Sequence, residues 1–207
     1  MARLKKQNRK RRFQKWLILL LIGVIVLSFY MIFKNRHYVD ASKPEIDVQL
    51  LDINEYSRPG IQTNGIHGIV IHYTANPGSS AQANRDYFQG LKDSQETSAS
   101  SNFVVGLEGE IIQCVPTWEV AYASNERNND TISIECCHPD ESGKFTKDTY
   151  WSTVQLTAWL CKKYDLDETC VIRHYDVTGK NCPKYFVENE EAWEQFRQDV
   201  KEALTKG

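Results

Sequence analysis

Seventeen consecutive residues without a charge, LILLLIGVIVLSFYMIF from Leu17 to Phe33, divide this chain before anything else in it can be read. As a helix rising 1.5 Å per residue the run spans roughly 26 Å, the short end of the range for crossing a bilayer. MARLKKQNRKRRFQK in front of it carries eight Lys/Arg and no acid, and Trp16 and Tyr30 stand where interfacial aromatics belong. The pattern predicts a cytoplasmic basic tail over 1–15, a transmembrane signal-anchor helix over 16–33, an extracytoplasmic linker over 34–48 and a folded domain over 49–207. It therefore predicts a single-pass protein of the cell membrane, N-terminus inside. A signal peptide cleaved near Ala41 is the alternative, against which stand the length of the run and the basic KNRH patch that follows it.

Past the run the charge balance reverses. From Lys34 onward 17 Lys/Arg face 27 Asp/Glu, a net of −10, which excludes nucleic acid as a main partner of the domain. The membrane is expected as a partner only through the N-terminal helix, and a monomer is expected. Six cysteines in an exported domain allow 15 pairings. Cys136 and Cys137 are adjacent and cannot easily pair with each other, and Cys161–Cys170 is the bridge the spacing suggests.

The domain alternates between two periodicities. GIVIHY (68–73) and TISIEC (131–136) are short apolar runs of the buried-strand kind, and NFVV and EIIQCV flank GLEG as a hairpin would. Between them, Ala83, Tyr87 and Leu91 recur every four residues; Trp151, Val154, Ala158 and Cys161, and later Trp193, Phe196, Val200 and Leu204, mark two more helices. VIRH (171–174) closes the strand list. This order predicts an α/β domain with a mixed central β-sheet flanked by helices.

Two histidines end apolar strands, His72 in GIVIHY and His174 in VIRH, and RHYDVTGKNCP brings Cys182 back eight residues after His174. Two imidazoles and a thiolate suit zinc, and three protein ligands leave a fourth position for the catalytic pattern. From spacing alone this reading is evenly matched by a plainer one, a core histidine and a disulfide cysteine. Glu135 lies inside TISIECC, where desolvation would lift its pKa toward that of a general base; strand alternation turning it to solvent is the competing reading. Lys180, two residues before Cys182, would stand beside any metal held there and stabilise an oxyanion, or be an ordinary solvated lysine. Asp176 could orient His174 or form a turn.

IVIHYTA, SNFVVGLEGEIIQCVP, NNDTISIE and RHYDVTGKNCP, in that order, resemble the zinc-dependent N-acetylmuramoyl-L-alanine amidases. That group includes the phage lysozyme-type amidases and the animal peptidoglycan-recognition proteins. The resemblance runs over roughly residues 50 to 205. It implies Zn2+ on His72, His174 and Cys182, catalysis by Glu135 and Lys180, and peptidoglycan as substrate, cleaved between N-acetylmuramic acid and L-alanine. A non-catalytic peptidoglycan-binding protein on the same fold, or a zinc peptidase acting on the stem, are the alternatives. Two positions depart from the pattern: Tyr122 stands where many members have a histidine, and Ser101 roughly where the phage type has a tyrosine.

Overall fold

The computed structural model describes residues 14–25 and 39–206. The chain forms two compact units, Met1–Tyr38 and Val39–Gly207. In the first, the described residues, 14–25, are helical. Among the described residues no helix is long and apolar enough to cross a membrane. This overturns the transmembrane helix expected over 16–33 and the single-pass membrane localisation built on it. The remainder of that stretch, 26–33, lies outside the described residues.

The second unit begins inside the stretch expected to be linker. Val39 and Ala41 are buried in the core, and a two-residue strand, β1 (Asp47–Val48), joins the sheet. The rest of the expected tether, 34–38, lies outside the described residues.

GIVIHY forms β2 (Gly68–Tyr73), and Ile69, Val70 and Ile71 are fully buried. A strand covered on both faces belongs in the middle of a sheet, and β2 is flanked by parallel partners on both sides: β5 (Thr131–Cys136) and β6 (Val171–Arg173). β3 (Phe103–Val105) runs parallel to β5 and antiparallel to β4 (Ile111–Gln113), and β1 lies parallel to β4 at the far edge. The strand order is β1-β4-β3-β5-β2-β6, the mixed sheet that the alternating pattern predicts.

Each face is covered for a reason visible in the helices. α1 (Ala81–Ser94) starts where Ser80 accepts a hydrogen bond from the Ala83 amide, and its Ala81, Phe88 and Leu91 meet Val104, Ile112 and Leu51 on one face. α2 (Lys147–Tyr164) is capped in the same way by Thr146. After α3 (His174–Thr178) and α4 (Lys184–Glu188), α5 (Glu190–Lys206) buries Trp193, Phe196, Val200 and Ala203 along one stripe. α2 and α5 cover the opposite face over Ile69, Ile71, Ile132 and Ile134. Phe186, Trp193 and Phe196 pack ring on ring at 5.3–5.6 Å, and each fully buried ring stabilises the fold by roughly 1.5–3 kcal/mol.

All six cysteines are free thiols. The Cys161–Cys170 bridge is not formed, because Cys161 points into the core from α2, where its thiol contacts the Asp167 carbonyl at 3.8 Å.

Candidate functional site

Strand register gathers the site. His72 is paired with Glu135 across β2 and β5, and Ile71 is paired with Arg173 across β2 and β6, so His174 follows directly beside His72. With Ile69 and Ile71 facing α2 and α5, alternation sends His72 and Glu135 to the other face of the sheet. There they open onto a cleft of about 450 Å³ that His174, Lys180 and Cys182 also line.

α3 turns the chain so that Cys182 can return. Asp176 Oδ2 accepts from the Arg173 amide at 2.8 Å, which starts the helix at His174, and Gly179 ends it in the left-handed region at φ 77°. The Cys182 carbonyl then accepts from the Tyr175 amide at 2.9 Å. Arg173 holds the loop from behind: its guanidinium donates to Asp176 at 2.9 Å, to Glu190 at 2.7 Å and to the Phe186 carbonyl at 3.1 Å.

His72, His174 and Cys182 are all buried, and their ligand atoms lie within 4.8 Å of one another, a group that could hold a metal ion. The two imidazole rings stand 4.7 Å apart, and His72 Nδ1 is 3.8 Å from Cys182 Sγ. Tetrahedral zinc with bonds of about 2.05 Å to nitrogen and 2.3 Å to sulfur needs these two atoms roughly 3.5 Å apart, so the donors fit it.

The electrostatics favour the same fit. Burial, then the charges of His174 and Lys180, hold His72 well below the usual histidine range, and burial and Lys180 depress His174, so both rings are neutral with a lone pair free. Burial pushes the Cys182 thiol up to about 12, reinforced by the Glu135 charge. That thiol keeps its proton until a cation displaces it, which couples metal binding to proton release.

Glu135 stands 3.9 Å from His72 Nδ1 through Oε1. Its side chain is 18% exposed, yet Oε2 is sealed from solvent without a hydrogen-bond partner. Desolvation lifts the carboxyl to about 8, against the opposing pull of Lys180. An acid poised there can both take and give a proton near neutral pH.

Comparison with known proteins adds an independent line. A profile described as N-acetylmuramoyl-L-alanine amidase (Amidase_2) matches residues 62–185. The chain belongs to the N-acetylmuramoyl-L-alanine amidase family. Among its relatives is N-acetylmuramoyl-L-alanine amidase CwlL of Bacillus licheniformis, 36% identical over 164 residues, covering 73% of this chain and 45% of that protein. N-acetylmuramoyl-L-alanine amidase BlyA of Bacillus subtilis (strain 168) is 32% identical over 176 residues, covering 75% of this chain and 46% of that protein. The matches thus span less than half the length of these relatives. The structure of PlyL shares the fold with a TM-score of 0.67 at 23% identity, covering 77% of this chain and 99% of that one.

Within this amidase-family chain the site residues singled out by sequence fall unequally. His72, His174, Cys182, Glu135 and Lys180 line one cleft, and Lys180 is exposed at its mouth. Tyr122 lines the cleft as well, its amide donating to Ser100 Oγ at 2.9 Å. Ser101 does not: it is fully buried, and its hydroxyl donates to the Phe103 carbonyl. Asp176 pairs with Arg173, whereas His174 Nε2 meets Asn125 Oδ1 at 2.9 Å. Ser124 Oγ lies 3.1 Å from His72 Nε2. Sequence reasoning missed both Ser124 and Asn125, since no spacing rule links them to the histidines. The backbone offers one signal: Asn125 is a non-glycine residue at φ 53°.

Proposed function

We propose that this domain is a zinc-dependent peptidoglycan hydrolase that cleaves the amide joining N-acetylmuramic acid to L-alanine of the stem peptide. One observation carries the reading: two neutral imidazoles, a thiol and a carboxyl with a sealed, unpartnered oxygen share one cleft in an amidase-family chain.

His72, His174 and Cys182 would hold the zinc. A zinc ion there supplies Lewis acidity at the scissile carbonyl and acidifies water toward a pKa of about 7. Glu135 accepts the proton of the attacking water and passes it to the nitrogen as the C–N bond breaks and the new C–O bond forms, giving a carboxylic acid and a free amine. Its lifted pKa suits both halves of that transfer. The Lys180 ammonium at the cleft mouth faces the charge that develops on the carbonyl oxygen.

The test is direct. The full chain, loaded with zinc, is incubated with purified peptidoglycan and the products are read by mass spectrometry. Intact stem peptides with a free L-alanine amine are expected. Peptides cut within the stem would indicate a peptidase, and unchanged sacculi with stoichiometric zinc would leave a binding protein.

A further inference from the structure

Each histidine of the site spends one ring nitrogen on a neighbour, and the two neighbours are consecutive residues of one loop. His72 Nε2 lies 3.1 Å from Ser124 Oγ, and His174 Nε2 lies 2.9 Å from Asn125 Oδ1. An amide oxygen has no proton to give, so the second bond puts the hydrogen on His174 Nε2 and leaves Nδ1 as the lone pair. The serine hydroxyl can accept from His72 Nε2 in the same sense, while His72 Nδ1 faces Cys182 Sγ at 3.8 Å.

The loop is braced to hold these two acceptors still. Asn128 Oδ1 accepts from the amides of Ala123 at 3.1 Å and Ser124 at 2.6 Å, and the Ser124 carbonyl accepts from the Arg127 amide at 3.0 Å. Asn125 takes the left-handed conformation at φ 53°, which asparagine tolerates better than most residues with a side chain. That backbone setting is what lets two successive side chains serve two different rings.

We propose that Ser124 and Asn125 are positioning residues, which fix both histidines as Nε2–H tautomers and turn Nδ1 of each toward the metal position beside Cys182. The proposal rests on the zinc reading above and extends it beyond the ligands. Metal-ligating histidines are generally steered by an acceptor on the other ring nitrogen, and losing that acceptor typically weakens metal binding 10–100-fold. In this chain the acceptors are a hydroxyl and an amide from a single segment, not carboxylates from separate elements.

The experiment compares the full-length parent with Ser124→Ala, Asn125→Gly and Asn125→Asp. Glycine removes the acceptor but accepts the left-handed backbone, so it separates the side chain's role from the loop's shape. Two readouts are taken: histidine tautomers by 15N NMR on metal-free protein, and zinc affinity by competition with a chromophoric chelator. The parent is expected to show Nε2–H on both rings. Asn125→Gly should lose that preference at His174 and keep it at His72, and Ser124→Ala should do the reverse. Each should bind zinc about 10–100-fold more weakly, with Asn125→Asp within about threefold of the parent. A parent protonated on Nδ1 of His174, or Asn125→Gly with parental tautomers and parental zinc affinity, would overturn the proposal. A parent that binds no zinc overturns the proposed function instead, and the tautomer spectra still decide the role of the two residues.

Discussion

Replacing Arg173 by methionine tests how the site's returning loop is held. The Arg173 side chain is only 8% exposed and donates to three acceptors on three different segments. Those acceptors are unequal. Glu190 is 63% exposed and Asp176 31%, so both carboxylates recover water when the guanidinium leaves, and such pairs are worth about 0–1 kcal/mol each. The Phe186 carbonyl sits on a residue 2% exposed and would be left without this donor, at a cost of about 1–3 kcal/mol. Methionine keeps most of the aliphatic packing against Trp193, whose ring lies 5.3 Å from the guanidinium. The sum is a destabilisation of about 1–5 kcal/mol, measured by urea unfolding of the chelated protein. Because Arg173 immediately precedes His174, zinc affinity should fall in the same variant, and Arg173→Lys should recover only part of both. Unfolding free energies of Arg173→Met and parent that agree within about 0.5 kcal/mol would refute the reasoning.

Other outcomes follow from the same geometry. Glu135→Gln should lower peptidoglycan turnover by roughly 10²–10⁴-fold while keeping parental zinc content; turnover within threefold of the parent would remove Glu135 from the chemistry. Burial pushes the thiols of Cys114, Cys137 and Cys161 up to about 12, so at pH 8 a thiol reagent should leave them unmodified in the native zinc-loaded protein; the half-buried Cys170 should react first, as peptide mapping would show. Hydrogen bonds hold Asp52, Asp140, Asp167 and Glu168 below their ordinary ranges, through Lys92, Ser142, Thr169 and Lys201 respectively. A depressed carboxyl stabilises the fold above its unfolded pKa and loses that contribution as pH falls through its folded one. The melting temperature should therefore decline below about pH 4, and a flat profile down to pH 2 would contradict this.

Much of the fold could be read from the chain because its central strands are short, β-branched and buried on both faces. GIVIHY and TISIEC coincide with β2 and β5 to the residue, since short segments rich in β-branched residues favour the extended strand. The last strand was harder: VIRH loses its histidine to α3, because the Asp176 carboxylate caps the helix one residue earlier than alternation suggests. α3 and α4 have five residues each, too few to show a helical period, and β1 has two. Pairing of β2 with both β5 and β6 made the histidines and Glu135 neighbours, which spacing alone left open. Ser124 and Asn125 stayed invisible, since their contact with the rings depends on how a loop braced by Asn128 folds over the strand ends. The apolar N-terminal run misled for the opposite reason. Composition measured its hydrophobic length, whereas among the described residues no helix is long and apolar enough to cross a membrane.

The place of β2 between β5 and β6 has a consequence for when the site comes into being. His72, Glu135 and His174 are far apart in the chain and share a surface only after β2 has docked against both neighbours. Pairing of β2 with β6 already brings His72 to His174 and Cys182, and docking of β5 adds Glu135, so a metal could be held as soon as the β2–β6 contact forms, whereas the full site needs both pairings. Zinc that binds only the folded form adds RT ln(1 + [Zn]/Kd) to its stability. Occupancy of the cleft would then act as a lock on the β2–β6 pairing, set by the metal supply around the protein.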